Sequence, residues 1–179
     1  VFLIREAKRV VEQRFDWSAF KAFNLHTLLA GVLGMLMFII ILGANQLINP
    51  FLEQQFGISL SAAGMITSLW SAGIVGGSFV GSWLLRKFAP KRALLIGVFF
   101  MSATLLALSF LIAPQLGLPL AITMVVIFGV GYGVYQTQYF AVAMRFVDTR
   151  IAASMFAILM AFTNVGQGVG MFLTGSLAD

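Results

Sequence analysis

The chain has 179 residues, 60% of them hydrophobic and only 9% charged, with a formal net charge of +5. A soluble domain carries about 25% charged residues, so the composition excludes one and points to a protein built into a bilayer. The excess of positive charge does not point to nucleic acid as a partner: all eleven Lys and Arg fall in three clusters beside long apolar runs, the pattern of cytoplasmic turns in membrane proteins.

Residues 1–24 come first. Five positive and three negative charges mix there with Ile4, Val10, Val11, Phe15, Trp17 and Phe20. This reads as an amphipathic or linker segment on the cytoplasmic face, with Trp17 at headgroup level. The remainder, 25–179, reads as a transmembrane bundle. A spanning helix needs about 20 apolar residues, and five runs meet that length, at 25–48, 60–85, 92–113, 120–144 and 151–177. Asn49-Pro50 is expected to end the first, with 51–59 as an outer loop that holds Glu53 and no cation. Between the second and third lies a basic hinge, Arg86, Lys87, Lys91 and Arg92, four cations in seven residues. A Lys or Arg at the bilayer centre costs about 3 kcal/mol, so the hinge stays in water. Pro114 and Pro119 bracket the next turn. Arg145 to Arg150 makes the third basic turn, again on the inside. The topology is therefore N-terminus cytoplasmic, five spans, C-terminus outside. The fold class is all-α. A β-barrel is excluded because the runs do not alternate polar and apolar residues. The chain opens on Val1 and closes on Ala178-Asp179 without a tail, and is expected to be part of a longer protein.

Glycine is patterned within these runs. Gly73, Gly77 and Gly81 recur every four residues on the second, Gly129 and Gly133 on the fourth, and Gly166 and Gly170 on the fifth. Small residues at that spacing let helix backbones approach closely in lipid. The third run, with Gly97 alone and almost nothing polar, is expected to be the most lipid-exposed.

No ionisable residue lies inside an expected span. Paired carboxylates, Ser-His-Asp sets and metal clusters are missing, and there is no cysteine. No enzymatic activity, no cofactor and no metal is therefore expected. His26 reads as an interfacial side chain. The polar residues that do enter the spans are neutral. Tyr132, Tyr135 and Tyr139, all the tyrosines of the chain, share one face of the fourth run, with Gln136 and Gln138 among them. The first run carries Asn45, Gln46 and Asn49, the second Ser68, Trp70 and Ser71, and the fifth Thr163, Asn164 and Gln167. Buried amides and hydroxyls cost energy unless bonded. They either bond across helices as packing contacts or line a cavity. The cavity reading is favoured for the tyrosine face, and the two stand level for Thr163 and Asn164.

The basic hinge carries a resemblance. Ser82 to Arg92 reads Ser-Trp-Leu-Leu-Arg-Lys-Phe-Ala-Pro-Lys-Arg, similar to the loop Gly-x-x-x-Asp-Arg-x-Gly-x-Arg-Arg that joins the second and third helix of each half in the major facilitator superfamily. Lys87, Lys91 and Arg92 match its basic positions; Ser82, Arg86 and Ala89 replace Gly, Asp and Gly. Two further stretches, Gly81 to Leu85 with Lys91 to Gly97, and Arg145 to Arg150 leading to Gly175 to Asp179, resemble the muropeptide-permease and acetyl-coenzyme A transporter branch. The resemblance implies a secondary transporter of a small solute in the cytoplasmic membrane, working by alternating access. The five helices would be the seventh to eleventh of twelve in a six-helix half-bundle, and the partners the lipid, the solute and the other half. It further implies that the first and fourth helices line a cavity. Asn45, Gln46, Asn49, Trp70, Tyr132, Tyr135, Gln136, Tyr139, Asn164 and Gln167 are the cavity candidates; Trp70 reads equally as a core residue, and Tyr139 has an interfacial-belt reading beside the cavity one. With Arg86 in place of the family's loop Asp, the cytoplasmic gate of Arg86, Lys87, Lys91 and Arg92 would close against Asp148, which otherwise reads as a helix cap. A non-transporting membrane scaffold on the same fold is the competing reading.

Topology is testable directly, since the chain has no cysteine of its own. Gln54→Cys and Gln115→Cys should label with an impermeant maleimide from outside, Lys87→Cys and Thr149→Cys from inside. Labelling of positions 87 and 115 from the same side would end the five-span arrangement.

Overall fold

The computed structural model describes residues 25–109, 117–147 and 151–178. The expected surface segment 1–24 and the gate residue Asp148 lie outside the described residues. The described chain consists of α1 (Leu25–Phe56), α2 (Leu60–Lys87), α3 (Pro90–Ser109), α4 (Leu118–Ala143), a 3₁₀ turn (Met144–Phe146) and α5 (Ala152–Ala178). All five α-helices are long and apolar enough to cross a membrane. With no water in hydrocarbon, helices satisfy their backbone internally, which is why apolar runs of this length fold this way.

The helix ends follow local chemistry. Gly57 adopts φ 62° and its N–H bonds the Glu53 carbonyl, closing α1 through a left-handed residue. Ser59 caps α2 by accepting from the Ala62 N–H at 3.3 Å. Phe88 is extended and its N–H reaches back to the Leu84 carbonyl. Ala89 precedes a proline and is pushed out of the helical region, and Pro90 then opens α3, where it lacks only an N–H that would be orphaned anyway.

α1 departs from the expected end at Ile48. It continues through Pro50, so Asn49-Pro50 does not stop it and 51–56 is helix, leaving a loop of three residues. Pro50 forfeits one bond, to the Gln46 carbonyl. Ile48 and Leu52 are buried on the bundle face and hold the helix across that gap. The 32 residues of α1 span about 48 Å at 1.5 Å each, against a hydrocarbon core of about 30 Å. The helix is therefore longer than the hydrocarbon is thick, and either tilts or extends beyond it.

Three tight contacts organise the bundle. α2 and α4 run parallel. A Cβ on Gly73, Gly77 or Gly81 would collide with the carbonyl oxygen of Val126, Val130 or Val134, and one on Gly129 or Gly133 with that of Trp70 or Ile74. α1 and α5 also run parallel, with Gly166 and Gly170 against the Met35 and Ile39 carbonyls and Gly31 against the Phe162 ring. α3 packs antiparallel on α4, where Gly97 faces the Gln138 amide and Gly131 faces the Thr104 hydroxyl. α1 meets α2 and α4 far less extensively than it meets α5.

α3 is not the least covered span. Of its most apolar window 22% is buried, against 17% for α2 and 50% for α4. α2 meets α4 mainly along a line of glycines, with Trp70 beside it, leaving most of its circumference open. α3 inserts Ala93, Met101 and Thr104 as well as Gly97.

The glycine contacts give a stability test. Gly77→Ala gains about 1 kcal/mol of helix propensity, yet its Cβ meets a carbonyl oxygen, and such overpacking costs about 1–3 kcal/mol. Gly76 faces open space. Reversible unfolding in mixed micelles should rank Gly76→Ala above Gly77→Ala by about 1–3 kcal/mol; equal stability would mean the backbones are not in contact.

Candidate functional site

α4 presents a different partner on each side. The glycine side faces α2 and the Gly131–Gln138 side faces α3. That leaves the third side, bearing Tyr132, Tyr135 and Tyr139, to meet α1 and the indole of Trp70. All three tyrosines are buried. Trp70 stacks on Tyr132 with ring centroids 5.2 Å apart and on Phe128 at 6.1 Å. Phe38 of α1 meets Tyr132 edge-on at 5.7 Å and Tyr139 at 6.5 Å. Tyr135 stacks on Tyr139 at 5.9 Å. The result is a continuous aromatic column between α1, α2 and α4.

The polar atoms of this column divide into two kinds. Some are engaged across helices. The Tyr139 hydroxyl donates to the Ala30 carbonyl of α1 at 2.9 Å and sits in the notch left by Gly34, where a side chain would strike it. The Thr67 hydroxyl of α2 donates to Asn49 Oδ1 of α1. Two on the column are buried without a partner, Tyr135 Oη and Trp70 Nε1; so are Asn45 Oδ1 on α1 and, on the α3 side of α4, both amide atoms of Gln138. A buried polar group left unmade costs about 1–3 kcal/mol, so this cluster is expensive unless something else completes it.

The remaining candidates are more scattered. Gln136 is half-buried, while Gln46 is exposed on α1. Asn164 is exposed on α5, and the half-buried Gln167 reaches only the Met171 sulfur, at 4.0 Å. Neither joins the aromatic column by a ring contact or hydrogen bond. Thr163 bonds the Met160 carbonyl of its own helix, a packing arrangement. At the hinge, Arg86, Lys87, Lys91 and Arg92 are all exposed.

Two residues escaped the site reading of the sequence. Thr67 was not distinguishable from other helix hydroxyls; its position opposite Asn49 depends on how α1 and α2 cross. Gln138 is fully buried, whereas its neighbour Gln136 is not. The available signal was Gly97, the single glycine of α3, which the antiparallel register brings opposite Gln138.

The sequence matches the family model of the Major Facilitator Superfamily over residues 3–179. No curated protein and no solved structure matches the chain at a significant level. The family match selects no branch within the superfamily. With five apolar helices arranged as above, and a match across almost the whole sequence, the chain belongs to the major facilitator superfamily of secondary transporters.

Proposed function

We propose that the chain is one half of an alternating-access transporter of the cytoplasmic membrane, and that it carries a small, uncharged, hydrogen-bonding solute. The observation that carries this reading is the set of unpartnered polar atoms on the aromatic column, above all the Tyr135 hydroxyl on a fully buried side chain. In hydrocarbon such groups are retained where a ligand completes them, and no charged side chain stands among them to bind an ion. A neutral solute with hydroxyl or amide groups and an apolar face fits the donors and rings present.

The packing supports a way of opening. α1 with α5, and α2 with α3 and α4, are each sealed by close contacts, while the seam between the two groups is thin. Tyr139–Ala30, Asn49–Thr67 and the Phe38 ring contacts hold that seam. Parting it would bring the unpartnered groups to water, a gating movement within this half beside the rocking of the two halves about a midplane site.

The reading as a half rests on a second set of small residues. Gly64, Ser68, Ala72 and Gly76 follow each other at four-residue steps on α2, with open space before Gly64 and Gly76; Ala157, Ala161 and Gly168 lie exposed on α5. Small residues at this spacing suit further helices packing closely, and the other half of the transporter supplies them.

In the complete transporter, Tyr135→Phe and Gln136→Ala should each lower apparent affinity for the solute roughly two- to ten-fold, the value of one neutral hydrogen bond, with the amount of folded protein unchanged. Parallel loss of uptake and folded protein would make these packing residues instead. Tyr139→Phe should shift the inward–outward populations about three-fold, the worth of one interhelical hydrogen bond in a membrane. Spin labels at Leu28 and Arg145 report that shift; an unchanged distance distribution would remove Tyr139 from the seam.

A further inference from the structure

The hinge side of α2 carries an ordered series of exposed side chains. Val75, Phe79, Trp83 and Lys87 follow at intervals of four, so they lie on one face, and the first three are 59%, 74% and 48% exposed. The Lys87 ammonium stands 4.8 Å from the Trp83 ring centroid and 5.8 Å from that of Phe88. Arg86, Lys91 and Arg92 are exposed around it. The series grades from hydrocarbon to interface to charge in the order of a phospholipid read from acyl chain to phosphate.

These cations have no protein counter-charge among the described residues. Glu53 is the one acidic residue described, and it precedes α2 while the hinge follows it, about 40 Å away for a helix of 28 residues. Lys91 and Arg92 also occupy the first turn of α3, where the helix dipole disfavours cations and no acidic side chain balances them. Helix stability therefore does not account for them. An orienting role in topology needs positive charge on this side, but not a Lys seated over an exposed indole. The small residues of α2 give way to Phe79 and Trp83 below Gly76, so close helix packing on this face stops where the series begins.

We propose that the α2–α3 hinge is a docking surface for an anionic phospholipid of the adjacent leaflet. Its phosphate lies among Arg86, Lys87, Lys91 and Arg92, its glycerol region lies on Trp83, and an acyl chain runs along Phe79 and Val75. An acidic protein segment or free phosphate would match the cations but leave Phe79 and Val75 unused.

Native mass spectrometry of the purified chain, released from micelles containing equal phosphatidylglycerol and phosphatidylcholine of identical acyl chains, tests this. Phosphatidylglycerol should be retained in preference. Lys87→Gln should lower its retention about five-fold, as expected for one cation at a membrane surface. Trp83→Leu should lower it at unchanged charge, and Arg145→Gln, which removes a cation from the other basic turn, should not. Millimolar inorganic phosphate should fail to displace the lipid. Circular dichroism checks that each variant is folded. Equal loss in Lys87→Gln and Arg145→Gln would reduce the effect to a general surface field and overturn the proposal. So would full retention by Trp83→Leu, equal retention of both lipids, or displacement by phosphate.

Discussion

The bundle depends on how closely two backbones can approach when lipid surrounds them. Helices in a membrane are not driven together by water, because the surrounding tails are as apolar as their side chains. Dispersion between closely fitted surfaces takes over, and it weakens steeply with small gaps. α2 and α4 achieve the fit by placing glycines of each helix against carbonyl oxygens of the other. α1 and α5 do the same through Gly166 and Gly170. The contact fixes rotation as well as distance. Once Gly129 and Gly133 face α2, and Gly131 and Gln138 face α3, the tyrosine side of α4 has one direction left, toward α1.

That rotation separates two classes of polar group in one apolar interior. Tyr139 and Asn49 are joined across helices and hold the seam between the two tight groups. Tyr135 and Trp70 lie along the same column and each leaves an atom unmatched, as does Asn45 on α1. A bundle selected only for stability would pair or remove such atoms, since their burial is costly. Stability and an incomplete polar lining conflict, and the moving seam proposed above is a way for both to coexist. In the function proposed above, the sealed pairs would keep the helices intact while the thin seam opened the lining to water and solute in turn.

The glycine interfaces and the shared tyrosine face were legible in the sequence because both rest on a local regularity, the repeat of 3.6 residues per turn. The family was legible in the hinge and the spacing of the runs. What sequence left hidden depended on neighbours. Asn49-Pro50 has the local form of a helix end, yet burial of Ile48 and Leu52 carries α1 on to Gly57. Gln136 and Gln138 look alike along the chain, but two residues rotate a side chain by about 200°, enough to put one in the interior and leave the other half-covered. A scarcity of polar residues suggested that α3 faces lipid most; within the described bundle α2 is covered less than α3, because its row of small residues stays open. Asn164 shows the same limit from the other side, a polar residue on an exposed face of α5.

Charge distribution completes the picture. Every charged side chain among the described residues lies near a helix end: Glu53 in the last turn of α1, four cations around the α2–α3 hinge, and Arg145 after α4. The interior between them is electrically neutral and lined by phenols, an indole and amides. Neutrality there has a physical consequence for recognition. A charged solute entering this interior alone would leave its hydration without an opposite charge to receive it, at a cost of several kcal/mol even after relaxation. Neutral groups replace water hydrogen bonds one for one and add stacking surface. Under the proposed function, discrimination by this lining would rest on the count and direction of hydrogen bonds and on ring contact, while the described charges stay near the helix ends.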